Sequence, residues 1–122
     1  IPSLEQFKEV ILFTETSEEM PDKEYVRRIY RALGERGILA SIKGLLVGRP
    51  KAWEFDKPLS QDESIKFAKE QEEVLIDIVR VYNKNIPIIT NMDFGHTDPQ
   101  ICMPYGGVCK ILPIKKEIVA TF

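Results

Sequence analysis

Apolar positions along the chain follow two different periods. Val10-Ile11-Leu12-Phe13-Thr14 is an unbroken β-forming run, the pattern of a strand covered on both faces in a parallel sheet. After the polar stretch Glu15 to Glu19, Val26, Ile29, Tyr30 and Leu33 recur at i, i+3, i+4 and i+7, the stripe of an amphipathic helix. Pro21 stands where a helix accepts its first residue, Asp22 and Glu24 suit the first turn, and Gly37 suits the position past the end. Ile42 to Val47 reads as a second buried strand, closed by Gly48-Arg49-Pro50. The segment from Lys51 to Leu59, with Trp53 and Phe55 in it, reads as a loop. Ser60-Gln61-Asp62-Glu63 is a capping box. The helix it opens is predicted to run to about Lys84, with Ile65, Ala68, Leu75, Ile78, Val79 and Tyr82 on its buried side. Ile88 to Asn91 is a third strand, leading into Met92-Asp93-Phe94-Gly95-His96-Thr97-Asp98-Pro99. Turn chemistry at Pro104-Tyr105-Gly106-Gly107 precedes two closing strands, Val108 to Leu112 and Glu117 to Phe122, read as a hairpin.

The order β-α-β-α-β-β-β predicts an α/β fold. Right-handed crossovers make the first three strands parallel, giving three core strands, two crossover helices and a C-terminal β-hairpin. With 122 residues, the chain is one domain, residues 1–122. Charge narrows the partners: 17 basic against 19 acidic residues, net −2, leave no basic excess for a nucleic acid. No apolar run approaches the ~18 residues of a membrane span. Cys102 and Cys109, with six residues between them and one histidine upstream, form neither a zinc spacing nor a disulfide framework. They are expected to be reduced, half-buried thiols. The chain opens Ile-Pro, with no Met and no signal peptide, so the expectation is a cytoplasmic protein of which this is one part.

Ligands of parallel sheets sit beyond the carboxyl ends of the strands. Three polar loops reach that edge: Glu15 to Glu19, Arg49 to Lys51 and Asp93 to Asp98. If the first and third strands are neighbours, Glu15 can hydrogen-bond His96, and an acid that orients an imidazole is half of a nucleophile–base–orienter set. The bland readings stand beside this one: a loop histidine on the surface, a solvated glutamate, an arginine covering a sheet edge, Trp53 as a packing anchor. A nucleophile is missing. Of Ser3, Ser17, Ser41, Ser60 and Ser64, none lies in a strand-to-helix elbow, and neither cysteine has a supporting motif. Either no such catalysis occurs, or the attacking group lies on another segment.

Three segments carry a family resemblance: Ile11-Leu12-Phe13-Thr14-Glu15-Thr16-Ser17-Glu18-Glu19; Ile42-Lys43-Gly44-Leu45-Leu46-Val47-Gly48-Arg49-Pro50; and Asn91-Met92-Asp93-Phe94-Gly95-His96-Thr97-Asp98-Pro99-Gln100 with Pro104-Tyr105-Gly106-Gly107. In this order the chain resembles the C-terminal domain of the serine LD-carboxypeptidase family, the clan of murein tetrapeptide carboxypeptidases and microcin C self-immunity proteins. The Glu-Thr-Ser-Glu-Glu and Gly-Arg-Pro wording leans toward the microcin-immunity branch. The resemblance implies a small swivelling β/β/α domain and a Ser-His-Glu hydrolase split over two domains. Glu15 would be the orienting acid and His96 the general base, with the serine on an N-terminal domain outside this chain. Implied substrates are peptides with an L-to-D linkage near the carboxyl end, or the amide of an aminoacyl sulfamoyl adenylate, a nucleotide-like ligand. No cofactor and no metal are implied.

Arg49 and Lys51, by position alone, are candidate substrate-binding cations for an anionic group. The isolated chain is expected to be inactive, to expose an apolar patch near Trp53, Phe94 or Met103, and to self-associate as a homodimer. Two other readings stay open. One is a non-enzymatic α/β binding module, which predicts Glu15 and His96 far apart. The other is a metal site from His96, Asp93 and Asp98, weak because one histidine with poorly spaced carboxylates holds divalent ions loosely.

Overall fold

Three parallel strands form the main sheet of the computed structural model: β1 Ile11–Thr14, β2 Gly44–Gly48 and β3 Ile88–Met92, in the order β1-β2-β3. The structure describes residues 2–54, 56 and 58–122, so Phe55 of the predicted loop lies outside the described residues. The central position explains the burial of β2 at all five residues. β1 is an edge strand and only half-buried, so its apolar run reflects one covered face and one partly covered face, not full enclosure.

Strand periodicity sorts the side chains. Leu12 and Thr14 pair in register with Leu45 and Val47 and face the helices. Ile11 and Phe13 pair with Gly44 and Leu46 and face the other way. The helical side carries the core, in which Leu12, Val26, Tyr30, Leu39, Leu45, Val47, Leu75, Ile78 and Val79 pack together. Burying each of these large aliphatic side chains stabilises the fold by roughly 1.5–3 kcal/mol.

Two long helices supply that layer: α2, Lys23–Glu35, and α4, Gln61–Tyr82, with a four-residue helix α1 at Leu4–Phe7 and another, α3, at Ile38–Ser41. The sequence pattern did not reveal α1 and α3, because four residues are too few to show a helical period. α2 starts two residues after Pro21, because the Asp22 carboxylate caps it by accepting from the Tyr25 amide at 2.8 Å. Gly37 takes a left-handed φ of 76° past its end. The Ser60 box forms as predicted: the Ser60 amide donates to Glu63 Oε2 at 2.8 Å, and Ser60 Oγ accepts from the Glu63 amide at 3.3 Å. Ile65 and Ile29 are exposed; each lies on the stripe but beyond the reach of the sheet.

The C-terminal hairpin, β4 Val108–Leu112 and β5 Glu117–Thr121, is antiparallel. Cys109 opposes Ala120 and Ile111 opposes Ile118. All four are half-buried, whereas Lys110 and Val119 point out. Ile111 reaches the main sheet at Gly44, where a Cβ would lie 2.7 Å from Ile111 Cδ1. Among the described residues, no helix is long and apolar enough to cross a membrane.

Candidate active site at the carboxyl edge of the sheet

Glu15 directly follows β1, and His96 lies four residues past β3. These strands are not neighbours, because β2 runs between them. The loop after β3 therefore has to cross the end of β2 to reach Glu15, and Gly48 makes the crossing possible. A Cβ there would lie 2.6 Å from the Phe94 carbonyl oxygen, closer than real Cβ atoms come, and at a tight 3.0 Å from Glu15 Cβ. Next, Gly95 turns the chain with φ 101°, and a Cβ on it would meet Glu15 Oε2 at 2.9 Å. Phe94 anchors the crossing: it is 7% exposed and packs edge-on against Phe13, centroids 5.8 Å apart. An irregularity in the β2–β3 pairing, where Asn91 takes φ 56°, sets where the loop leaves the sheet.

The result is a hydrogen bond between His96 Nδ1 and Glu15 Oε2 at 3.0 Å. The same carboxylate oxygen accepts from the Ser17 amide at 2.6 Å, which holds it from its own loop. A carboxylate can only accept, so Nδ1 carries the proton of the contact, and in the neutral ring the lone pair lies on Nε2. The side chains are 29% exposed at Glu15 and 46% at His96. The imidazole is thus pinned on one side and open on the other.

No serine hydroxyl bonds the histidine among the described residues. Ser41 Oγ donates to the Gly37 carbonyl, Ser64 Oγ to the Ala52 carbonyl, and Ser60 Oγ serves its helix cap. Ser17 contributes its amide to Glu15.

Arg49 lies at the same edge, but its guanidinium is turned onto the histidine loop. Nη2 pairs with Asp93 Oδ1, and Nη1 approaches the Asp98 carbonyl at 3.5 Å. Lys51 lies over the Trp53 ring, its Nζ 4.9 Å from the centroid. Trp53 is 55% exposed, so it is not the packing anchor that its size suggested. Phe94 corrects the expected apolar patch in the other direction, because the loop crossing buries it. Trp53 is exposed as expected and Met103 half-buried, and Ile101, Tyr105 and Val108 add exposed apolar surface beyond the histidine loop, Tyr105 at 95%. Cys102 is exposed rather than half-buried; both thiols are free, and burial raises the Cys109 thiol pKa.

Asp93, which the metal reading enlisted, is spent on Arg49, and no group of three or more His, Cys, Asp or Glu side chains among the described residues is arranged around a metal position. Gly48, Gly95 and Asp93 are the site residues whose roles the sequence reading missed. The signal for the glycines was present, one at the end of a strand and one directly before the histidine.

Residues 1–111 match the family model described as LD-carboxypeptidase C-terminal domain. A protein of Treponema pallidum (strain Nichols) named as a carboxypeptidase is 29% identical over 110 residues, which is 90% of this chain and 28% of that protein. The crystal structure of an MccF-like protein from Streptococcus pneumoniae in complex with AMP superposes with a TM-score of 0.77 at 32% identity, covering 99% of this chain and 31% of that one. The chain therefore spans less than a third of the length of either relative.

Proposed function

The chain belongs to the LD-carboxypeptidase C-terminal domain family, and from that premise we propose that it is the base-supplying half of a two-domain serine peptidase or amidase. His96 is the general base and Glu15 its orienting acid. The nucleophilic serine and most of the oxyanion hole lie on an upstream domain of the same protein. The observation that carries this reading is the 3.0 Å contact between His96 Nδ1 and Glu15 Oε2, which the loop after β3 makes by crossing the end of β2.

The chemistry follows from the tautomer. The serine hydroxyl gives its proton to His96 Nε2 as its oxygen attacks the substrate carbonyl. Glu15 stabilises the imidazolium that forms, without taking the proton itself. His96 then protonates the leaving amine, and a water repeats the sequence to release the acyl group. A peptide with a carboxyl-terminal L-to-D linkage and the amide of an aminoacyl sulfamoyl adenylate both fit this chemistry. The AMP in the MccF-like relative favours the nucleotide-bearing substrate. Lys51 is the cation offered to an anionic substrate group. Two free thiols suit the reducing cytoplasm.

The test is made in the full-length protein, with both substrate classes. His96→Ala should lower kcat by about 10²–10⁴-fold or more, with Glu15→Ala also impaired. Unchanged turnover in His96→Ala, with wild-type folding by circular dichroism, would overturn the assignment.

A further inference from the structure

We propose that Arg49 is a positioning residue for His96, acting through Asp93, and that it does not anchor the substrate. The inference rests on the hydrolase reading above and specifies how its base is held.

Five bonds bind the histidine loop to the end of β2 and to itself. The Arg49 amide donates to the Met92 carbonyl at 2.8 Å, extending the β2–β3 ladder by one residue. The Arg49 side chain pairs with Asp93, three residues before His96, and reaches the Asp98 carbonyl, two residues after it. The Asp93 carbonyl accepts from the Ile101 amide at 2.6 Å, and Gln100 Nε2 donates to the Gly95 carbonyl at 2.5 Å. One guanidinium therefore grips both shoulders of the segment that carries the base.

This matters because residues 93–99 have no ladder of their own. Fixing such a backbone costs roughly 1–2 kcal/mol per residue, and a base displaced by about 1 Å loses much of its effect. The charged pair is partly exposed, at 39% and 37% for the two side chains, so its contribution to global stability is small. Its leverage is geometric. Both terminal nitrogens of Arg49 make contacts with the loop, so a bidentate grip on a substrate carboxylate would have to compete with them.

Positioning and anchoring predict different kinetics. In the full-length protein, on whichever of the two substrates the wild type hydrolyses, His96→Ala first sets the background. Arg49→Gln and Asp93→Asn should each lower kcat about 10–100-fold, with KM within threefold of wild type. The double variant should be no worse than the weaker single, because the two act as one unit. Arg49→Lys, which supplies a point charge without the fork, should recover only part of kcat. A crystal structure of Asp93→Asn should show the His96–Glu15 contact lengthened. If Arg49→Gln does not fold, Asp93→Asn carries the same test. The proposal is overturned if Arg49→Gln raises KM at constant kcat while Asp93→Asn is silent, or if both are silent. A fully active His96→Ala would instead bring down the hydrolase reading, and this one with it.

Discussion

A missing methyl group at two positions decides whether Glu15 meets His96. Alanine at Gly48 would push against the Phe94 carbonyl and Glu15 Cβ, and alanine at Gly95 would be strained at φ 101° as well as crowded by the Glu15 carboxylate. Strain of this kind costs about 1–3 kcal/mol, against a fold that keeps its core on the opposite face. Gly95→Ala should therefore leave the chain folded, while turnover of the full-length protein drops about tenfold or more. Equal kcat for the variant and wild type would show that the contact is dispensable. Tyr30 is a second single-residue case. Its hydroxyl bonds Thr14 Oγ1 at 2.6 Å beneath the core, and burial pushes its pKa up to about 12. The unfolded chain ionises near 10, so between pH 10 and 12 the unfolded state loses a proton that the folded state keeps. Stability should fall with rising pH in that window, on the order of 1 kcal/mol per pH unit. Denaturant titrations of wild type and Tyr30→Phe should converge as pH rises from 9 to 12.

At the scale of the elements, local chemistry and burial were legible to different degrees. The Ser60–Glu63 box was legible because its bonds span three residues, and it formed as written. Ser60→Ala should destabilise the folded chain by about 1 kcal/mol, measured by urea unfolding. Its hydrogen bonds with Ser60 hold the Glu63 carboxyl below its usual range. That contribution is present at neutral pH and is lost as acid protonates Glu63, so the gap between variant and wild type should narrow at low pH. Strand burial was less legible. β1 and β2 have similar composition, yet β2 is sealed and β1 is an edge, a difference that pairing order creates. Ile29 and Ile65 fit a helical stripe and still face water, because the stripe is wider than the surface it covers.

For the whole molecule, the open side of His96 and the exposed run Ile101, Tyr105 and Val108 lie on the stretch from the histidine loop into the hairpin. The proposed upstream domain would meet this stretch. The isolated chain should form dimers by analytical ultracentrifugation, and Tyr105→Ser should shift them toward monomer. Dimers unaffected by that change would put the contact elsewhere. The chain alone should not hydrolyse either substrate, and supplying the upstream domain in trans should produce turnover.

Local sequence alone determined the five strands, the two long helices, the helix cap at Ser60, the parallel pairing of the first three strands and the closing hairpin. Each of these depends on interactions between near neighbours or on the handedness of short crossovers. Tertiary structure decided what spans distance: β2 in the middle, a loop carried over Gly48, Phe94 pulled inward, and Arg49 turned from the rim onto Asp93. The physical reason is that strand order and loop path are chosen by competition for one buried surface. No stretch of chain records that competition by itself.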